Sequence, residues 1–137
     1  MYALIDENFP EKLAIGLNSL QEPLNVAGKD EYEVVSIPSL FGQGAKDEEW
    51  IPEAGKLSSI VITQDLKIQT TRHQCQLYQK HGLGIFFFKA PSKTGYSYWD
   101  MVQQIVKRWD TIKQLTRKTK LPFAYRCTSN SNFKLLE

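Results

Sequence analysis

Short apolar runs of strand length, separated by stretches with helical spacing, dominate this 137-residue chain. Tyr2-Ala3-Leu4-Ile5, Ser59-Ile60-Val61-Ile62-Thr63-Gln64 and Leu83 to Lys89, with Ile85-Phe86-Phe87-Phe88 at its centre, are too short for packed helices and close to continuously apolar. Strands apolar on both faces belong in parallel sheets covered on both sides. Glu33-Val34-Val35-Ser36-Ile37 reads as a further strand, ended by Pro38. Between these runs, Leu13, Ala14, Leu17 and Leu20 recur at helical spacing over 9–20, Asp47 to Leu57 is helical in composition, and residues 68–80 precede a Gly82 stop. Ser97 opens the clearest helix, which runs to Lys118. Asp100 completes a capping-box pattern, and Tyr98, Val102, Ile105, Trp109 and Ile112 share one face with Trp99 and Val106 beside it. Phe123 to Cys127 alternates as a last short strand. Alternating elements of this kind predict an α/β fold, a three-layer α/β/α arrangement with a central, mostly parallel sheet. It is expected as one domain over 1–128, with 129–137 a flexible C-terminal tail.

The punctuation is mostly proline and glycine. Pro10 suits a first helical turn, with Asn8 as cap and Glu11 three residues later. Pro23, Gly28 and Asp30 mark 21–31 as a loop, and Gly42-Gln43-Gly44 is a flexible turn. Pro52 and Gly55 weaken the helix after Asp47, which therefore begins near Trp50 or bends.

Charge is unevenly distributed. Residues 1–55 carry eleven acids against three lysines, while the rest of the chain is strongly basic, above all 107–126. A metal site beside a phosphate-binding surface would look like this, and so would two solvated faces that balance. No run approaches the roughly 18 apolar residues of a membrane span, and the start lacks a basic segment followed by an apolar one. Cys75 and Cys127 lie far apart with no CxxC pattern, which suits a reducing compartment, so the expected location is the cytoplasm.

Two of the apolar runs stop on an aspartate, at Asp6-Glu7-Asn8 and at Asp65, and a third acidic cluster, Asp47-Glu48-Glu49, opens a helix. If both runs are parallel strands, Asp6 and Asp65 emerge on one sheet edge, where open α/β sheets place their ligands. Converging carboxylates repel one another unless a cation joins them, and hard divalent cations such as Mg²⁺ or Mn²⁺ take oxygen ligands. Such ions hydrolyse phosphodiesters, and a basic stretch can hold a nucleic-acid backbone. Each acid taken singly is equally a helix cap. Other constellations are thin. His73 and His81 are not spaced as a metal pair, Gly42-Gln43-Gly44 lacks the Lys-Ser/Thr of a P-loop, and Cys75 has no base beside it. Tyr96, Tyr98 and Trp99 could stack on bases, though burial explains Tyr98 and Trp99 more simply.

The segments "LIDENFPEKLAIGL", "GAKDEEWIPEA" and "SIVITQDLKI" resemble the PIN-domain ribonuclease family, in particular its PIN-like toxin (VapC-like) branch, over roughly residues 2–118. Relatives share the aspartate-glutamate-asparagine start, the acid-rich helix opening and the strand ending in Thr-x-Asp. The resemblance implies a Mg²⁺- or Mn²⁺-dependent endoribonuclease, the toxin of a toxin–antitoxin pair. It names Asp6, Asp47 and Asp65 as catalytic and metal-binding, with Glu7 and Glu48 as supporting ligands. Lys67, Arg72, Lys89, Lys107 and Arg108 are the candidate RNA contacts, and the expected partners are RNA and a cognate antitoxin, with homodimerisation left open. Many relatives carry a further aspartate two residues after Thr-x-Asp, where this chain has Lys67. That departure leaves a catalytically degenerate PIN-like binding module as the alternative. A response-regulator receiver would place two helices and a strand between its aspartate and its lysine. Asp65 and Lys89 are only 24 positions apart, room for one helix and one strand.

Overall fold

The computed structural model describes residues 1–65, 68–92 and 94–136, with the side chains of 65 and 68–71 outside the described set. Its elements, in chain order, are β1 (Tyr2–Ile5), α1 (Glu11–Val26), β2 (Glu33–Ser36), α2 (Ile37–Phe41), α3 (Asp47–Lys56), β3 (Ile60–Asp65), α4 (Ile68–Lys80), β4 (Gly84–Lys89), α5 (Tyr98–Lys118), β5 (Phe123–Thr128) and β6 (Lys134–Leu135). The strands form one sheet in the order β2-β1-β3-β4-β5-β6. All neighbours are parallel except β5 and β6.

Strict alternation along the strands builds the three layers. Ala3, Ile5, Ile60, Ile62, Phe86 and Phe88 face a core shared with Leu13 and Leu17 of α1 and Ile105, Trp109 and Ile112 of α5. Leu4, Val61, Ile85 and Phe87 face the opposite core, with Ile37, Trp50, Ile51, Ala54 and Tyr78 from α2, α3 and α4. Each fully buried Leu, Ile, Val or Phe among them contributes about 2 kcal/mol, so the apolar runs fix the register: a one-residue slip would exchange the two cores. Gly84 has no side chain because Phe123 of the neighbouring strand fills the space a Cβ would need. Cys75 and Cys127 pack into different cores and do not share a disulfide.

Several expectations are corrected. Helix α1 runs past Pro23 to Val26, so 21–31 is only partly loop. Proline removes a bond to the carbonyl four residues back, but Ser19 and Pro23 are both exposed, and water can serve that carbonyl. Pro52 likewise lies inside α3, which begins at Asp47 rather than near Trp50. Leu20 is 63% exposed and Gln21 takes the buried place on α1. Ser36 and Pro38 open a short α2 where the sequence suggests only a strand end. The expected tail is not free either. Phe133 packs edge-on against Phe86 and Phe88, and β6 pairs with β5. An isolated aromatic followed by a two-residue strand is too short for any periodicity to register. Among the described residues, no helix is long and apolar enough to cross a membrane.

Candidate active site

The chain leaves β1 for β2 on one side and later for β3 on the other, so the strand order reverses between β1 and β3. Open α/β sheets bind ligands outside the carboxyl ends of the strands at such a reversal. Asp6 follows β1 there, its backbone N–H still donating to the Ile62 carbonyl at 3.0 Å. Asp65 ends the adjacent parallel strand β3, opposite Lys89 on β4. Its side chain lies outside the described residues.

The half-buried Asp6 carboxylate accepts a hydrogen bond from the Glu7 N–H at 2.7 Å and from the Thr63 hydroxyl at 2.6 Å. Burial raises its pKa against these two bonds, and the negative charges of Glu7 and Asp47 raise it further. Asp6 is therefore an acid whose ionised form has two donors but no cation among the described residues. Asp47 sits in the first turn of α3, where its Oδ1 accepts from Trp50 Nε1 at 3.1 Å. Neither acid caps a helix: the residues preceding α1 and α3 are Pro10 and Lys46, and neither makes a side-chain cap bond. The hydroxyl of Tyr78 is buried and makes no hydrogen bond among the described residues. Its pKa is pushed well up by burial and then by the charges of Asp6 and Asp47.

Thr63 and Gln64 carry no role in the sequence reading and Asn8 only that of a helix cap, yet the three hold this edge together. Asn8 is no helix cap. Its amide donates to Thr63 Oγ1 and the Gln64 carbonyl and accepts from the Gln64 N–H, at 3.2 to 3.4 Å. Gln64 Nε2 donates to the Asn8 carbonyl at 2.6 Å, and its Oε1 accepts from the Tyr96 N–H at 3.3 Å. Thr63 and Gln64 thus tie the loop after β1 to β3 and to the approach of α5. The signal was present: a strand ending in Thr-Gln-Asp puts polar side chains where a buried parallel strand would otherwise stay apolar.

The remaining candidates are dispersed. Glu7 is exposed and lines a cleft with Glu11, Ser36 and Gln43 on the β2 side. Glu48 is exposed and pairs with His73 of α4 at 3.3 Å. A backbone N–H bond and then His73 lower its pKa. Among the described residues, no group of three or more His, Cys, Asp or Glu side chains is disposed to hold a metal ion. Arg72 is exposed on α4 and Lys89 is exposed at the end of β4, while Lys67 lies outside the described residues. Lys107 is exposed but Arg108 is buried. The basic stretch 107–126 is therefore not one surface. Lys113 is buried too, and pairs with Asp30 at 3.0 Å. Tyr98 and Trp99, expected in the core, are 46% and 70% exposed and stack edge to face on each other. They open α5 before its apolar stripe turns inward. The lysine a receiver would need is misplaced, since Lys89 ends β4 and Thr128 ends β5.

No curated protein and no solved structure matches the chain. A family model described as PIN like domain matches residues 1–90, the stretch that carries β1 to β4 and all the candidate acids. With two thirds of its length matched and a mostly parallel sheet presenting acids at its carboxyl edge, the chain belongs to the PIN-like domain family.

Proposed function

We propose that this protein is a Mg²⁺- or Mn²⁺-dependent endoribonuclease whose metal-binding acids are Asp6, Asp47 and Asp65. The observation that carries the reading is Asp6, a half-buried carboxylate at the strand-order reversal that feels the charge of Asp47, with no cation paired to either among the described residues. Carboxylates whose charges bear on one another at a strand edge fit a hard divalent ion. A bound ion would supply an activated water and offset charge on the leaving oxygen. The protein's own part is orientation. Thr63 fixes one carboxylate oxygen of Asp6, the Glu7 N–H fixes the other, and Trp50 holds Asp47. Exposed Lys89, Arg72 and Lys107 supply positive charge for an RNA backbone, and the Tyr98–Trp99 pair offers ring faces to unstacked bases.

By the family resemblance, the enzyme works in the cytoplasm as the toxin of a toxin–antitoxin pair, with an antitoxin covering the acidic edge. In Asp65→Asn, RNA cleavage with Mg²⁺ or Mn²⁺ should fall on the order of a thousandfold, about 4 kcal/mol of barrier, while circular dichroism stays native. Retained cleavage in that variant would refute the assignment. Because Trp50 donates to Asp47, its fluorescence should respond to Mn²⁺. A silent Trp50 together with no cleavage by the unmodified protein would favour the alternative, a PIN-like binding module that has lost catalysis.

A further inference from the structure

Arg108 is a buried cation without an acid. It is 7% exposed, yet it makes no ion pair among the described residues. Its Nε donates to Gln104 Oε1 and its Nη2 to the Thr128 carbonyl, both at 2.8 Å. The Phe133 ring packs against the guanidinium, 5.5 Å from its centroid. These contacts hold the fork in place but leave its charge unneutralised, and Nη1 makes no hydrogen bond among the described residues. Burying a charge in this way is costly unless a counter-charge arrives.

The surroundings select the sign of the missing partner. Arg108 lines a pocket of about 120 Å³ with Lys107, Thr111, Asn130, Ser131 and Asn132, and no carboxylate lines it. Ser131 Oγ accepts from the Thr128 N–H and the Thr128 hydroxyl, so its own proton is left to donate. A fixed guanidinium, an ammonium, a hydroxyl and amides around a small polar hollow suit a tetrahedral oxyanion.

Position then indicates whose oxyanion. Thr128 ends β5, which runs parallel to β4, β3 and β1, so through Thr128 the Arg108 guanidinium reaches the sheet edge that carries Asp6 and Asp65. Two strand spacings separate β5 from β3, about 10 Å across the sheet. We infer that this pocket is a phosphate subsite, holding a backbone phosphate of single-stranded RNA a few nucleotides from the acids on β1 and β3. The inference deepens the nuclease reading and rests on it for the identity of the ligand.

The test uses the full ¹⁵N-labelled chain in EDTA, so that nothing is cut. Inorganic phosphate should shift the amides of Asn130, Ser131 and Asn132 first, and a single-stranded RNA oligomer should shift the same three. Arg108→Gln, and separately the exposed Lys107→Ala, should each weaken RNA binding about tenfold. Each should also flatten the slope of log affinity against log salt by about 0.7. A merely structural Arg108 would lower thermal stability and leave that slope alone. If Arg108→Gln fails to fold, Lys107→Ala and the amide shifts decide. An unchanged slope, or phosphate shifts elsewhere, overturns the subsite even if the protein cuts RNA. Shifts with phosphate but not with RNA overturn RNA as the ligand. A flattened slope in a protein that never cuts RNA keeps the subsite and sinks the nuclease reading instead.

Discussion

Helix α5 buries two cations, Arg108 and Lys113, and treats them differently. Lys113 reaches Asp30 at 3.0 Å and Gln21 Oε1 at 3.1 Å, with Trp109 Nε1 donating to the same Gln21 oxygen at 2.9 Å. Gln21 spends its amide nitrogen on Asn25 and Asp30. Every polar group in that knot has a partner. Arg108 has fixed geometry and, among the described residues, no opposing charge. The aspartates differ in the same way. Burial would raise the pKa of Asp30, but bonds from Gln21 and Lys113 and the charges of Lys113 and Arg117 hold it below the ordinary value. Asp6 is held above it. The Lys113 end of the helix is closed electrostatic construction, whereas the carboxyl edge keeps unmatched charge of both signs. The difference teaches where to look for ligands: matched buried charges belong to the scaffold, and unmatched ones mark the places to test.

The comparison breaks most directly at Lys113. Lys113→Met should strip Asp30 of its buried partner and cost about 3 kcal/mol in urea unfolding followed by tryptophan fluorescence. A loss below about 1 kcal/mol would mean that the knot is not the closed network its distances describe. Next in size is the gain from filling the acidic site. Mn²⁺ at a hundredfold excess over its dissociation constant should stabilise the protein by about 2.7 kcal/mol in thermal unfolding. The gain should vanish in Asp6→Asn, and an equal gain in that variant would remove the ion from Asp6.

The smallest effect, and the sharpest in sign, is pH. Asp30 has a lowered pKa, so its stabilisation is present above the ordinary value of 3.8 and is lost as pH falls through the lowered one. Asp6 has a raised pKa, so the metal-free protein loses stability as pH rises from 3.8 through the raised value. Asp30→Asn should therefore cost most at neutral pH and little in acid. Asp6→Asn should gain at neutral pH and change nothing in acid. Curves of the same sign for the two variants would erase the distinction.

Much of the scaffold was legible because burial on both faces leaves a continuous apolar signature, as in Ile60-Val61-Ile62 and Phe86-Phe87-Phe88. The aspartates at the ends of such runs were legible for the same reason: charge is conspicuous after a buried strand. What escaped depended on partners remote in sequence. Gln21 reads as polar surface until Trp109, 88 residues on, donates to it. Asn8 reads as a cap until β3 arrives beside it. Arg108 looks like any residue of a basic face, because the loop that encloses it comes after β5. Prolines misled in the other direction, since Pro23 and Pro52 sit inside helices whose freed carbonyls are near water.

The two ends of the sheet carry one more consequence. On one flank β2 has only four residues, opened by the exposed Glu33, and on the other β6 has two, with Lys134 exposed. Short, charged margins are poor templates for recruiting a further strand from another molecule. A strand added to β5 from another molecule would first have to displace the two-residue margin paired with Tyr125 and Arg126.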